Sequence, residues 1–221
     1  MALTAFATIF IDLDDTLYPA SSGLWLAIRQ RILLFVASKL NLTLEEAETV
    51  RKGLFKQYGT TLRGLQTAYQ VDEYEYLSFV HDLPLSGYFG PDPILRQTLL
   101  AYPQQKVIFT NADTPHARRV LAARSLEGCF EKIIDIHAIQ PYCKPMPEAF
   151  QIAFDLLDVD PQECVLIDDS LPNLITAKSF GMRTVWISDN PPEPAADYTI
   201  FSVSELPSVL PPGSNGHKIG G

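Results

Sequence analysis

The chain has 221 residues, with 17 Lys+Arg against 26 Asp+Glu and a formal net charge of −9. A surface built for nucleic-acid backbones or anionic membranes normally carries the opposite sign, so neither is expected as a partner. With 47% hydrophobic and 19% charged residues, there is enough apolar surface for one large domain or a core with an attachment, and general disorder is excluded.

In chain order, the first element is an apolar run over 8–13. No basic residue precedes it and it meets Asp12, Asp14 and Asp15 at once, so it reads as a buried strand and not a signal peptide. From about residue 19 to 90 the pattern is helical. Leu24, Ile28, Ile32, Phe35, Val36 and Leu40 form one apolar face, and Thr43 with Glu46 is a capping-box pair opening a second helix. Arg29, Gln30, Arg31 and Lys39 interrupt the apolar stretch 23–40, so it does not read as a membrane span. Two shorter helices are expected at 61–69 and 72–81.

From there β-type runs at 106–110, 132–136, 164–168 and 183–187 alternate with helices opened by Asp92-Pro93, Thr114-Pro115 and Met146-Pro147, each with Pro where a missing N–H is harmless. A further helix over 171–180 is closed by Gly181. The runs are nearly all apolar, as in strands covered on both faces. Strand and helix in alternation predict an α/β fold with a parallel sheet and right-handed crossovers, interrupted after its first strand by about 70 residues of helix. The segment 211–221, rich in Pro, Gly and Ser, is expected to be disordered. Cys129, Cys143 and Cys164 form no CxxC pair, so neither a disulfide framework nor a cysteine zinc site is expected, and a cytoplasmic setting fits.

The chemistry gathers at strand ends. Asp12, Asp14 and Asp15 follow an apolar strand, where open α/β sheets bind ligands. Carboxylates this close repel one another unless a cation compensates, and their hard oxygens suit Mg²⁺. A solvated acidic turn would look the same in isolation. Asp168 and Asp169 repeat the pattern, and if the two strands are neighbours their ends lie about 5 Å apart, close enough to share an ion. Thr110 and Asn111 end a third buried strand in hydrogen-bond donors suited to phosphate oxygens, and Lys144 stands in a proline-flanked loop. Taken singly, a strand-end Thr and a Lys are commonplace.

The ordered set Asp12-x-Asp14, Thr110, Lys144 and Asp168-Asp169 resembles the haloacid dehalogenase superfamily of Mg²⁺-dependent phosphohydrolases. That resemblance implies a Rossmann-like parallel sheet core, formed by 1–18 and 89–210, with an inserted helical cap at 19–88. It also implies roles. Asp12 would attack phosphorus and form an aspartyl-phosphate, and Asp14 would act as acid and then base. Asp12, the Asp14 main chain and Asp169 would hold Mg²⁺, with Asp168 reaching it through water or ordering the shell. Thr110, the amide of Asn111 and Lys144 would surround the phosphoryl group. Asn173 departs from the pattern, which often has an acid there.

The segments Leu17-Tyr18-Pro19, 58–65, 109–121, Cys143-Lys144-Pro145 and 168–173 are similar to the pyrimidine 5′-nucleotidase branch, implying a nucleoside monophosphate as the small phosphorylated partner. A phosphosugar phosphatase or mutase would share the core motifs, as would a non-catalytic binding protein on the same fold. A metal-free dehalogenase would leave Asp14, Asp168 and Asp169 without a task. In the cap, Tyr58, Thr60 and Arg63 are candidates for choosing the leaving group. Tyr18 and Pro19 are expected to shape the entrance. His81 is expected at the surface more than on substrate, and oxidation of Cys143, beside the lysine, is expected to impair activity. The chain is expected to be a monomer or a homodimer.

Overall fold

The computed structural model describes residues 6–212; most of the tail expected to be disordered lies outside them. β1 (Thr8–Ile11) is followed by α1 (Leu24–Leu40), α2 (Leu44–Tyr58), α3 (Thr61–Tyr69), α4 (Glu73–Val80) and α5 (Pro93–Leu100). Then come β2 (Gln105–Phe109), α6 (Thr114–Ala123), β3 (Lys132–Ile134), α7 (Pro147–Leu157), β4 (Cys164–Asp168), α8 (Leu171–Ser179), β5 (Arg183–Ile187), β6 (Tyr198–Ile200) and α9 (Leu206–Val209). The strands form one parallel sheet in the order β3-β2-β1-β4-β5-β6, a Rossmann-like α/β core. Among the described residues no helix is long and apolar enough to cross a membrane.

The order places β1 at the point where the winding reverses, with β2 on one side and β4 on the other. Ligands of such sheets bind outside the carboxyl ends at that crevice. Ile11 pairs with Ile108 and with Ile167, so Asp12 leaves the sheet level with Asp168. On one face of the sheet Phe10 meets Phe109 of the neighbouring strand edge-on at 5.9 Å and Phe154 of α7 at 6.0 Å, a geometry that favours aromatic pairs beyond plain burial.

Three strands end earlier than the sequence pattern suggests. β1 stops at Ile11, β2 at Phe109 and β3 at Ile134; the Asp12 N–H still donates to the Ile167 carbonyl at 2.9 Å, and the chain turns after it. Asp135 accepts from the backbone N–H and hydroxyl of Thr114, tying the start of α6 to the end of β3. β6 is an addition: three residues are too few to show a period. Asp197 just before it accepts from the backbone and hydroxyl of Thr184 on β5, which seats it at the sheet edge.

α1 to α4 bury the expected face of Leu24, Ile28, Ile32, Phe35 and Val36, each contributing about 1.5–3 kcal/mol before entropy is charged against it. The Thr43–Glu46 capping box is formed in both directions. A Cβ on Gly64 would stand 2.6 Å from the Cβ of Leu54, so only glycine lets α3 lie this close to α2. The two chain crossings between these helices and the sheet are gripped by α6 and the turn after it. Arg119 donates to the carbonyls of His81 (2.7 Å) and Leu83, and Arg124 donates to those of Leu17 (3.2 Å) and Gly90 (3.1 Å).

Candidate active site

Each strand end delivers a side chain to one place because the apolar run stops there and the backbone turns. Beyond β1, Asp15 takes a left-handed backbone (φ 58°), and the N–H of Leu17 closes the turn on the Leu13 carbonyl at 3.0 Å. Lys144 is 2% exposed. Its Nζ donates to Asp12 Oδ1 at 2.7 Å and to Asp168 Oδ2 at 2.8 Å. The loop carrying it is fixed by Asn111, whose side-chain amide donates to the Lys144 carbonyl (2.9 Å) and accepts from its N–H (2.8 Å). The Asn111 side chain thus positions the lysine instead of standing free for phosphate. Thr110 is buried, and its hydroxyl oxygen accepts from the Ala112 N–H at 3.0 Å.

Asp168 has no exposed surface. Its oxygens receive Lys144, the Ser170 N–H (2.9 Å) and the Asn173 amide (3.0 Å to each oxygen). These donors occupy both of its oxygens and leave it an organiser of the cluster. Asn173 therefore supplies a donor where an acid would have added repulsion.

Asp12, Asp168 and Asp169 each offer an oxygen within 4.8 Å of the others. Burial lifts the Asp12 carboxyl well above its ordinary range; Lys144 opposes this, while Asp168 and Asp169 add to it. Burial, Asp168 and Asp15 push Asp169 up to about 7. Burial and Asp14 push Asp15 up to about 6, and its Oδ1 is buried without a partner. One lysine thus stands against Asp12 and Asp168, with Asp169 beside them and Asp15 next to Asp169. This oxygen-only, over-charged donor set fits a hard divalent cation such as Mg²⁺.

Asp14 is held differently. Burial raises its carboxyl, but His116, hydrogen bonds from His116 and Tyr18, and His81 outweigh that and bring it below the usual carboxylate range. Tyr18 Oη donates to Asp14 Oδ1 at 2.6 Å and His116 Nε2 lies 2.9 Å from the same oxygen. Tyr18 sits where the entrance was expected, but its contact is with the acid itself. His116 went unnoticed as a site residue: it lies in a helix 102 residues from its partner, and only the acid Asp113 capping that helix hints at a special environment.

The helical insertion and the loop beside it depart from expectation at several residues. Arg63 is 6% exposed, and its guanidinium donates to the carbonyls of Ile136 (2.6 Å) and Tyr142 (3.2 Å) and to Gln66 and Glu73. Those bonds take all five donors, so Arg63 latches α3 to the core instead of reaching a substrate. Thr60 caps α3 by accepting from the Arg63 N–H. The Tyr58 ring lies against Gly64. His81 is not a surface residue: it is 8% exposed, bonds Asp113 at 2.8 Å and stacks on His116. Cys143 is fully buried against the Tyr58 carbonyl, and burial pushes its thiol up. A buried thiol of that kind is a poor target for oxidants.

The chain's sequence matches the haloacid dehalogenase-like hydrolase model over residues 6–181. It is 30% identical over 191 residues to "Phosphate metabolism protein 8" of Saccharomyces cerevisiae, covering 80% of this chain and 60% of that protein, whose length it therefore only partly spans. It is 26% identical to the human "N-acylneuraminate-9-phosphatase", over 95% of this chain and 96% of that one. Among solved structures, a HAD phosphatase from Thermococcus onnurineus is similar with a TM-score of 0.63 at 22% identity, covering 92% of this chain and 97% of that one. The chain belongs to the haloacid dehalogenase-like hydrolase family.

Proposed function

We propose that the protein is a phosphomonoester hydrolase acting through an aspartyl-phosphate on Asp12. The observation that supports this reading is the convergence of Asp12, Lys144 and Asp168 through hydrogen bonds of 2.7 and 2.8 Å, with Asp169 within reach of the same point. Asp12, the main chain of Asp14 and Asp169 would hold Mg²⁺, with Asp168 ordering the surroundings. The ion's contribution is charge: it offsets the carboxylates so that a phosphate dianion can approach one of them.

The remaining work falls to the chain. Asp12 is aimed by Lys144 and attacks phosphorus, which divides one displacement into two easier ones. Lys144, the Thr110 hydroxyl and the Asn111 backbone N–H stabilise the equatorial oxygens. Asp14, which takes up a proton before the ester reacts, gives it to the departing alkoxide and recovers it from the water that frees Asp12. Asp14 also argues against dehalogenation, which has no alkoxide to protonate.

The proposed substrate is a pyrimidine nucleoside 5′-monophosphate, a reading supported by the extended sequence motifs around Tyr18, Thr60, Asn111 and Asn173. A second reading, a sugar phosphate, is favoured by the human relative, named for a phosphorylated sugar acid, and by the engagement of Arg63 with the core. Phosphate release from UMP, CMP, AMP, GMP, hexose phosphates and pyridoxal phosphate, with and without Mg²⁺, separates them. The proposal expects Mg²⁺-dependent release with UMP and CMP foremost. Hexose phosphates foremost would reject the nucleotide, and no release from any ester would reject the hydrolase.

A further inference from the structure

Outside the carboxylate–lysine cluster, a buried imidazole is directed at Asp14. His116 is 1% exposed. Its Nε2 lies 2.9 Å from Asp14 Oδ1, while Tyr18 Oη reaches the same oxygen at 2.6 Å. Oδ1 accepts from the Tyr18 hydroxyl, and as an acceptor it takes the second hydrogen from Nε2. Oδ2 receives no hydrogen bond from the described residues, so a proton arriving at or leaving Asp14 travels by Oδ2.

The other imidazole nitrogen, Nδ1, is buried with no partner. An unpaired buried polar atom carries a desolvation cost, which an apolar side chain would avoid. Packing therefore does not account for an imidazole here; the bond to Asp14 does. The ring is also held from behind. His81 stacks on it at 4.1 Å and 16° between planes. Asp113 ties the two residues together, bonding the His81 ring at Nδ1 (2.8 Å) and accepting from the His116 backbone N–H (3.3 Å). Tyr18 stands where the chain enters the helical insertion and His81 caps its helix α4, so Tyr18 reaches Asp14 directly and His81 reaches it through the His116 ring.

We propose that His116 is a positioning residue for Asp14: with Tyr18 it saturates Oδ1 and leaves Oδ2 as the atom that exchanges a proton with the leaving group. This rests on the phosphomonoesterase reading above. The readout is leaving-group dependence of kcat/KM, which reports the steps through departure of the alcohol. An alkyl alcohol needs a proton to depart, whereas p-nitrophenolate departs without one.

Four variants, each checked for its thermal melt, carry the test: Asp14→Asn, His116→Leu, His116→Gln and Tyr18→Phe. The substrates are p-nitrophenyl phosphate and the fastest alkyl ester of the panel. His116→Leu is expected to lower kcat/KM on the alkyl ester on the order of a hundredfold and on the nitrophenyl ester far less. His116→Gln, whose amide can place an N–H near the Nε2 position, is expected to recover most of the loss. Tyr18→Phe should show the same selectivity if the leucine variant fails to fold. Equal losses on both esters, or a glutamine variant no better than leucine, would overturn the proposal. If Asp14→Asn is selective for the alkyl ester and the His116 and Tyr18 variants are not, the positioning role falls and the hydrolase reading stands. If Asp14→Asn itself is unselective, the assignment of Asp14 as proton donor falls, and the positioning role with it.

Discussion

Asn173 donates from Nδ2 to both carboxylate oxygens of Asp168, at 3.0 Å each. With Lys144 on the same group and no exposed surface on Asp168, the carboxylate at the centre of the cluster is held entirely by protein. Replacing the amide by an acid, Asn173→Asp, sets a like charge against a buried carboxylate. A loss of roughly 3–5 kcal/mol is expected, as for breaking a buried charged pair. Urea midpoints at constant m-value check it; an unchanged midpoint would mean that Asp168 does not depend on this donor.

Arg63 joins α3 to the core through two main-chain carbonyls, and its ion pair with Glu73 is almost wholly buried (7% and 12% side-chain exposure). Arg63→Met should cost about 3 kcal/mol or more by leaving the Glu73 charge and carbonyls under-satisfied. Arg63→Lys should recover little, since an ammonium cannot reproduce the forked contact. Denaturation of both variants is the check, and a lysine variant as stable as the parent would contradict the latch.

Gly59 combines a backbone φ of 82° with a Cβ position 2.8 Å from Cys143 Sγ. Gly59→Ala therefore meets both a left-handed backbone penalty of about 1–2 kcal/mol and a clash beside the loop that carries Lys144. Cys143→Ala should relieve the clash but not the backbone strain, so the double variant is expected to lie between Gly59→Ala and the parent. A double-mutant cycle with zero coupling would refute the contact.

Burial holds His81 below the ordinary imidazole value of 6.5, with Asp113 opposing and His116 adding to the depression. In the unfolded chain the same group gains a proton near 6.5 while the folded protein does not. Stability from this group is thus lost as pH falls below about 6.5. His81→Gln is expected to flatten the unfolding free energy between about pH 6.5 and 5. A slope identical to the parent's would show that the ring is not kept neutral by burial.

The strands were readable because each is short, apolar and stopped by a polar residue, and the helix starts because their Pro and Asp signals are local. β6 was not, since its three residues are held by Asp197 reaching across to Thr184 and not by a pattern of their own. The same division runs through the site. Asp12, Thr110, Lys144 and Asp168 announce themselves at strand and loop ends. Tyr18, His81 and His116 do not, because their meaning arises only when segments far apart in sequence meet around Asp14. Arg63 was visible as a charge in a helix, but whether it faced a ligand or the core carbonyls depended on how α3 docks.

The most direct test of the account is whether phosphate passes through Asp12. Enzyme mixed with Mg²⁺ and a phosphate-labelled ester, quenched in acid within one turnover and digested, should carry the label on the peptide containing Asp12. Asp12→Asn should stay folded, lose nearly all turnover and carry no label. Label on another residue, or turnover that persists in Asp12→Asn, would contradict the mechanism.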